Sequence, residues 1–238
     1  MAYRNQVISA LGGIVFGLGL LMGWGLMAGH MIPPSAPSDS AERIAQLHSD
    51  HELRIQLGMA ITLATLAFLV PFGSALATQM RRMEGGQRTL ADAQMGCAIL
   101  TAGVVTMGMT LFAITSFRPD RNEEITYLLS DMSWIAFTMP VSGIMVWMLV
   151  TGLAILGDRA PEPVFPRWSG YFSFLGASLT APGYLVPLFK QGPFAWNGLL
   201  AFWVALTVAF AWVALMVVLT IRGARNQHQH ASAVSALA

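Results

Sequence analysis

Residues 7–29 read VISALGGIVFGLGLLMGWGLMAG, twenty-three positions without one charged side chain. At 1.5 Å per residue such a run is long enough to cross a hydrocarbon core of about 30 Å. Arg4 ahead of it gives the look of a signal peptide. The apolar run is too long for one, however, and no small-residue cleavage site of the A-x-A type follows, which reads as a retained anchor. Five further stretches repeat the pattern, approximately Ile55–Ala77, Ala93–Phe117, Trp134–Leu156, Ser169–Phe189 and Gly198–Ile221. Backbone groups in lipid must be satisfied within their own segment, so the expected fold is all-α: a polytopic membrane protein with six transmembrane helices.

Composition agrees. Of 238 residues 55% are hydrophobic and 11% charged, the net charge is +1, and the mean hydropathy is +0.59. A soluble domain carries about 25% charged residues, so this chain cannot clothe a water-facing surface. No basic tract is present to meet phosphates, which excludes a nucleic-acid partner. Cys97 is the single cysteine and sits in an apolar run, so neither a disulfide framework nor a thiolate metal site is available.

Orientation follows from Lys and Arg. With the N-terminus inside, the inner segments hold eight: Arg4, Arg81, Arg82, Arg88, Arg159, Arg167, Arg222 and Arg225. The outer ones hold five: Arg43, Arg54, Arg118, Arg121 and Lys190. Both termini are therefore expected in the cytoplasm. Residues 1–225 form the membrane domain, and 226–238, NQHQHASAVSALA, read as a disordered polar tail. No internal repeat is found, which speaks against an inverted-repeat transporter.

The outer connections carry local structure. After IPPSAPSDS, Asp39 with Glu42 three residues on reads as a capping box for a short outer helix with Ile44 and Leu47 on one face. Pro119 stops the third helix, Asn122 caps the fourth, and Glu123 and Glu124 lie in its first turn, where the helix dipole favours carboxylates. That helix projects beyond the membrane before Trp134 marks the interface.

Several constellations are candidate sites. Gly13, Gly17, Gly19 and Gly23 form a small-residue stripe that suits close helix packing within the body, or a homodimer or larger membrane complex. Pro71, Pro140, Pro182 and Pro187 lie inside apolar runs, and each removes a backbone hydrogen bond. APGYLVP is the most disrupted segment, and a cavity is expected near Pro182, Gly183 and Pro140. His48, His51 and Glu52, with His30 also on the outer side, have spacings that share a helix face and could ligate Zn²⁺ or Cu²⁺. No zinc-binding motif supports them, and a solvated polar face on the helix leading into the membrane is the preferred reading. His228 and His230 lie on the opposite side.

Absences narrow the chemistry. No span has a mid-membrane histidine for haem or lysine for retinal, and none has a deep acid for a proton relay, so no cofactor is expected. Mid-membrane polarity is read as hydroxyls, among them Thr65, Thr106, Thr110, Ser142 and Thr180. Near the outer boundary lie Arg54, Arg118, Arg121, Asp131, Lys190 and Asn197, with Glu52, Glu123 and Glu124 nearby. Asp131 is too short to snorkel, so it is expected to pair with Arg118 or Arg121 first and Lys190 second, as a structural tie or as the anchor of a ligand's polar group.

Four segments, QMRRMEG (79–85), FRPDRNEEITYLLSDMSW (117–134), GDRAPEPVFPRW (157–168) and GPFAWNGLLAFW (192–203), resemble a family of bacterial six-helix integral inner-membrane proteins. The resemblance covers residues 30–220 and implies a multi-pass inner-membrane protein, of a kind met in bacteria that degrade lipids, steroids or other apolar compounds. It brings no catalytic residues; His51 matches its pattern, whereas tyrosine is tolerated at the place of His48. The leading expectation is a non-enzymatic binder, permeation route or membrane subunit for apolar small molecules or lipids. The alternatives are a metal enzyme or oxidase/oxygenase accessory subunit using His48, His51 and Glu52, and a structural subunit docking through the Gly-rich first helix.

Overall fold

Inside an apolar slab a backbone survives only as helix, and the chain obeys this throughout. The computed structural model describes residues 2–29 and 31–237, with side chains except at positions 2, 230, 231 and 233–237. Among them 79% are helical and none is in a strand. The elements are α1 (Ala2–Gly19), continued by a π-helix (Leu20–Met27), then α2 (Ala41–Asp50), α3 (Glu52–Leu66), α4 (Leu69–Met83) and α5 (Thr89–Ser116). There follow α6 (Glu123–Thr138), α7 (Ser142–Gly157), α8 (Arg167–Thr180) continued by a 3₁₀ helix (Ala181–Leu188), a π-helix (Leu199–Val204) and α9 (Ala205–Leu237).

Five helices are long and apolar enough to cross a membrane: Tyr3–Met27, Glu52–Met83, Thr89–Ser116, Glu123–Gly157 and Leu199–Gln229. The chain is thus built as a multi-pass membrane protein. Its surface is correspondingly apolar, with Ile8, Leu18, Leu100, Leu153, Leu175 and Leu199 all more than half exposed.

Proline decides where the helices break. Pro71 has no N–H and its ring crowds the carbonyl of Ala67, four residues back. The second span accordingly parts at Ala67 and Phe68, where Phe68 N and Val70 N reach only three residues back, to Thr65 O (3.2 Å) and Ala67 O (3.3 Å). Pro140 parts α6 from α7 in the same way. Pro182 and Pro187 tighten the end of the fifth helical stretch into 3₁₀ geometry.

Each helical stretch packs on its neighbours in sequence, and the last closes onto the first through α1 and α9. The result is a six-member ring around a common interior. The Gly stripe makes the first joint. Gly12 faces the Phe68 carbonyl, Gly13 meets Val217 and Phe72, Gly17 lies under the Phe210 ring, and Gly19 receives Thr65. At Gly23 a Cβ would stand 2.5 Å from Gly58 O and 2.5 Å from Thr62 Oγ1. Gly13, Gly17, Gly19 and Gly23 thus all serve contacts inside the chain.

Two local expectations need correction. The cap of α2 is Ser40, whose Oγ accepts from Arg43 N at 3.3 Å. Asp39 instead accepts from Ala36 N at 2.9 Å, closing the preceding turn, so it forms no capping box with Glu42. At the other end α9 continues to Leu237, through the stretch whose composition reads as a disordered tail. Gln, Ala and Leu there are adequate helix formers, and neither Gly nor Pro interrupts them. Asn122 does cap α6, accepting from Glu124 N at 2.9 Å.

The close approach at Gly23 makes a measurable demand. Gly23→Ala should destabilise the protein by about 1–3 kcal/mol, the usual cost of overpacking. Gly103→Ala, where nothing lies within 4 Å, should not. Thermal unfolding of both variants in one detergent checks this.

Candidate functional site

The helix breaks face one another. Around a partly open cavity of about 140 Å³ stand Phe16, Gly17 and Leu20 of the first span, and Leu69 just beyond the second span's break. Thr101 and Val105 come from α5, Phe137, Thr138, Pro140 and Val141 from the α6–α7 break, and Thr180 from the end of α8. Ala201 and Phe202 of the second π-helix, with Ala205, Ala209 and Phe210 of α9, complete the wall. All six helical stretches contribute. Pro140 lines the cavity directly; Pro182 and Gly183 stand behind it, Gly183 packed against Val141 and the Thr138 carbonyl.

The wall offers almost no polarity. Its three hydroxyls bond to their own helices: Thr101 Oγ1 to Cys97 O (2.8 Å), Thr138 Oγ1 to Trp134 O (2.6 Å) and Thr180 Oγ1 to Ala177 O (2.9 Å). Among the described residues no Asp, Glu, His, Lys, Arg or Cys lines it.

Beyond the cavity, toward the connection between the first two spans, lies an aromatic layer. Trp134 stacks on Trp196 (6.4 Å between centroids, 7° between planes) and meets Phe112 edge-on at 5.0 Å. Trp24 packs against Phe137 at 4.8 Å. The outer connection lies over this layer, held by Trp196 Nε1 donating to Ser35 O (2.8 Å) and Tyr127 OH donating to Pro37 O (3.3 Å).

The outer ionic residues do not converge. Among the described residues no hydrogen bond or ion pair reaches half-buried Asp131, and Lys190 is the cation whose charge acts on it. The expected first partners are engaged or turned away. Arg121 Nη1 donates to Ile114 O (3.2 Å), folding the loop back onto α5, and Arg118 is exposed. Arg54 Nε donates to Met27 O (3.1 Å), and Asn197 sits in the turn before the second π-helix.

The histidine face is interrupted. The spacing of His48, His51 and Glu52 assumes one continuous helix, but His51 is the junction between α2 and α3, at φ −116° and ψ 14°. His48 is buried, with Nδ1 2.6 Å from Ser116 Oγ, tying α2 to the end of α5. His51 Nδ1 is 3.0 Å from Leu47 O, and Glu52 accepts from Gln56 Nε2 at 3.1 Å. Among the described residues no group of three His, Cys, Asp or Glu could hold a metal. His30 lies outside the described residues.

Two amides escape the hydroxyl-only reading of the interior. Gln94 is fully buried, donating from Nε2 to Gly73 O (2.7 Å) and accepting at Oε1 from Trp147 Nε1 (2.7 Å), so it joins α4, α5 and α7. Gln79, also fully buried, donates to Gln6 (2.8 Å) and accepts from Arg82 Nη1 (2.6 Å), which also donates to Gly223 O (3.2 Å). The signal was present in sequence as amides inside or beside apolar runs.

No family model matches this chain, and no curated protein or solved structure is significantly similar to it.

The Gln94 junction is testable by a double-mutant cycle. Gln94→Leu strands the Trp147 indole donor, and Trp147→Phe strands the Gln94 carbonyl; each should cost about 1–3 kcal/mol. The double variant should lose clearly less than the sum, read from chemical or thermal unfolding.

Proposed function

We propose that this chain is a six-helix integral membrane protein that takes an apolar small molecule or part of a lipid chain into its central cavity, as a binder, permeation route or membrane subunit. The observation that carries this reading is the coincidence of the helix breaks around one wall without free polar groups. Irregular backbone at membrane depth is tolerated where protein or a cavity surrounds it, and a set of breaks facing one space is a built feature.

The size of the cavity limits the occupant. An apolar cavity of about 150 Å³ stays dry and holds a single benzene-sized ring. Drug-sized ligands occupy about 300–1,000 Å³, so a sterol fits only if the ring of helices opens. One ring or a few methylenes of an acyl chain is the natural occupant. The absence of titratable side chains from the lining favours binding over acid–base catalysis there.

A sixth span is supported by arithmetic on the fifth helical stretch. Fourteen α-helical residues rise about 21 Å and eight 3₁₀ residues about 16 Å, together more than a hydrocarbon core of about 30 Å. Six crossings return the C-terminus to the side of the N-terminus. The Arg balance then favours both termini in the cytoplasm of a bacterial cell, the inner membrane being the site that the four resembling segments suggest. A reporter active only in the periplasm, fused after Ala238, should be silent; strong activity reverses the topology.

Occupancy is read with fluorobenzene by ¹⁹F NMR against empty micelles. The wild type should bind saturably, Ala205→Phe should lose binding by filling the cavity, and Leu20→Ala should keep it. Uptake that is unsaturable and equal in all three overturns the reading.

A further inference from the structure

The molecular surface carries a second hollow. Between α3 and α5 runs an open groove of about 290 Å³, and none of its lining residues belongs to the central cavity. Met59 and Leu63 line it from α3, Ala113 and Ile114 from α5, with Gln56 and Phe117 at one end and Thr110 toward the other. Gln56 Nε2 donates to Ser116 O at 3.3 Å, which sets Gln56 level with the end of α5. From there the steps Gln56 to Leu63 and Phe117 to Thr110 each rise about 10 Å, about two thirds of the 15 Å hydrocarbon depth of one leaflet. Ile114 and Phe117 are 43% and 64% exposed, so the groove lies open along its side to whatever surrounds the helices.

Opposite charges edge its mouth. On the α5 side Arg121 Nη1 donates to the carbonyl of the lining residue Ile114 (3.2 Å), which holds the guanidinium at the groove. Arg118, next in sequence to the lining residue Phe117, is exposed. On the α3 side the lining residue Gln56 also donates to Glu52 Oε1 (3.1 Å), which holds this half-buried carboxylate one turn above the groove. Among the described residues none of Arg118, Arg121 and Glu52 takes part in an ion pair. The connection between α5 and α6 also carries exposed Asp120, and Glu123 and Glu124 open α6, so this end of the groove is mixed in charge rather than basic.

We propose that this groove binds one phospholipid with a primary ammonium headgroup, of the phosphatidylethanolamine kind. An acyl chain lies between α3 and α5, the phosphodiester meets Arg118 and Arg121, and the ammonium meets Glu52. The apolar floor asks for hydrocarbon, and the arginine fork suits phosphate oxygens. A primary ammonium brings three N–H donors to a carboxylate, whereas a trimethylated choline nitrogen brings none. A headgroup of net negative charge would satisfy the arginines but set its excess charge beside Glu52. The site is independent of the central cavity.

Native mass spectrometry of the detergent-purified chain, titrated with dioleoyl phosphatidylethanolamine, phosphatidylcholine or phosphatidylglycerol, reads the affinity of the first bound lipid. Phosphatidylethanolamine should bind about two- to fivefold tighter than either of the others, the scale of an exposed charge pair. Glu52→Gln keeps an acceptor for Gln56 and should erase the preference over phosphatidylcholine. Arg118→Gln combined with Arg121→Gln should weaken all three lipids. Ala60→Phe, which fills the groove from an exposed position, should do the same. Lys190→Gln, which removes the cation beside Asp131, should change nothing. Should the double arginine variant fail to fold, Glu52→Gln and Ala60→Phe still carry the test. Equal affinity for the three lipids, or tighter binding of phosphatidylglycerol, overturns the site. A preference that survives Glu52→Gln, or binding that Ala60→Phe leaves intact, overturns it as well, the bound lipid then being annular only.

Discussion

Every backbone carbonyl released inside this protein has to find a donor, and that constraint organises the rest. Proline cannot satisfy the carbonyl four residues back, so a proline within an apolar run forces a local solution. Here the solutions are a two-residue turn at Ala67 and Phe68, an interruption at Met139–Val141, and a 3₁₀ continuation from Ala181. None is exposed along an unbroken lipid-facing helix. Leu69, Thr138, Pro140, Val141 and Thr180, at or beside these breaks, line one interior space. The cavity is the geometrical remainder of that arrangement: helices that bend at a shared level cannot all be close-packed there.

Closure of the ring depends on small residues as much as the breaks depend on proline. The first span packs against both the second and the last, and it does so through glycines that admit a carbonyl, a threonine or a phenyl ring directly against its backbone. In water, burial of apolar area would drive such contacts; in lipid that drive is absent, so close packing and buried polar bridges have to supply it. Gln94 and Gln79 are those bridges, one joining α4, α5 and α7, the other joining the first, second and last spans. Their complete satisfaction is what makes a buried amide stabilising in a medium that punishes unpaired ones.

Much of this architecture was legible from residues alone because the bilayer imposes a coarse code. Run length gave the helices and Asn122 gave a helix start. What failed was reading that needs three dimensions. Asp39 and Ser40 are both competent caps, and only the path of the turn through Ala36 decides for Ser40. The spacing of His48, His51 and Glu52 presumes a helix that ends one residue too early. Asp131 is expected to pair with Arg118 or Arg121 first and Lys190 second; Arg121 instead donates to the Ile114 carbonyl near the end of α5, and Lys190 is the cation whose charge acts on Asp131. The prolines did announce disrupted helices, yet sequence could not say that the disruptions meet. Nor could it reveal the indole donors, since a tryptophan in an apolar run looks the same whether or not its N–H finds an acceptor.

The distribution of satisfied and unsatisfied polar groups then separates scaffold from site. Hydroxyls at the cavity, amides between helices and three of the buried indoles all have partners, and each partner lies within the chain. Groups satisfied in this way hold the fold and have little left to offer a ligand. The interior thus offers an apolar volume of about 140 Å³ with no ionisable group among its described lining residues. A wall of this kind can discriminate by shape. It cannot discriminate by charge. In the proposed function, shape and apolarity are therefore what such a wall has available for choosing an occupant.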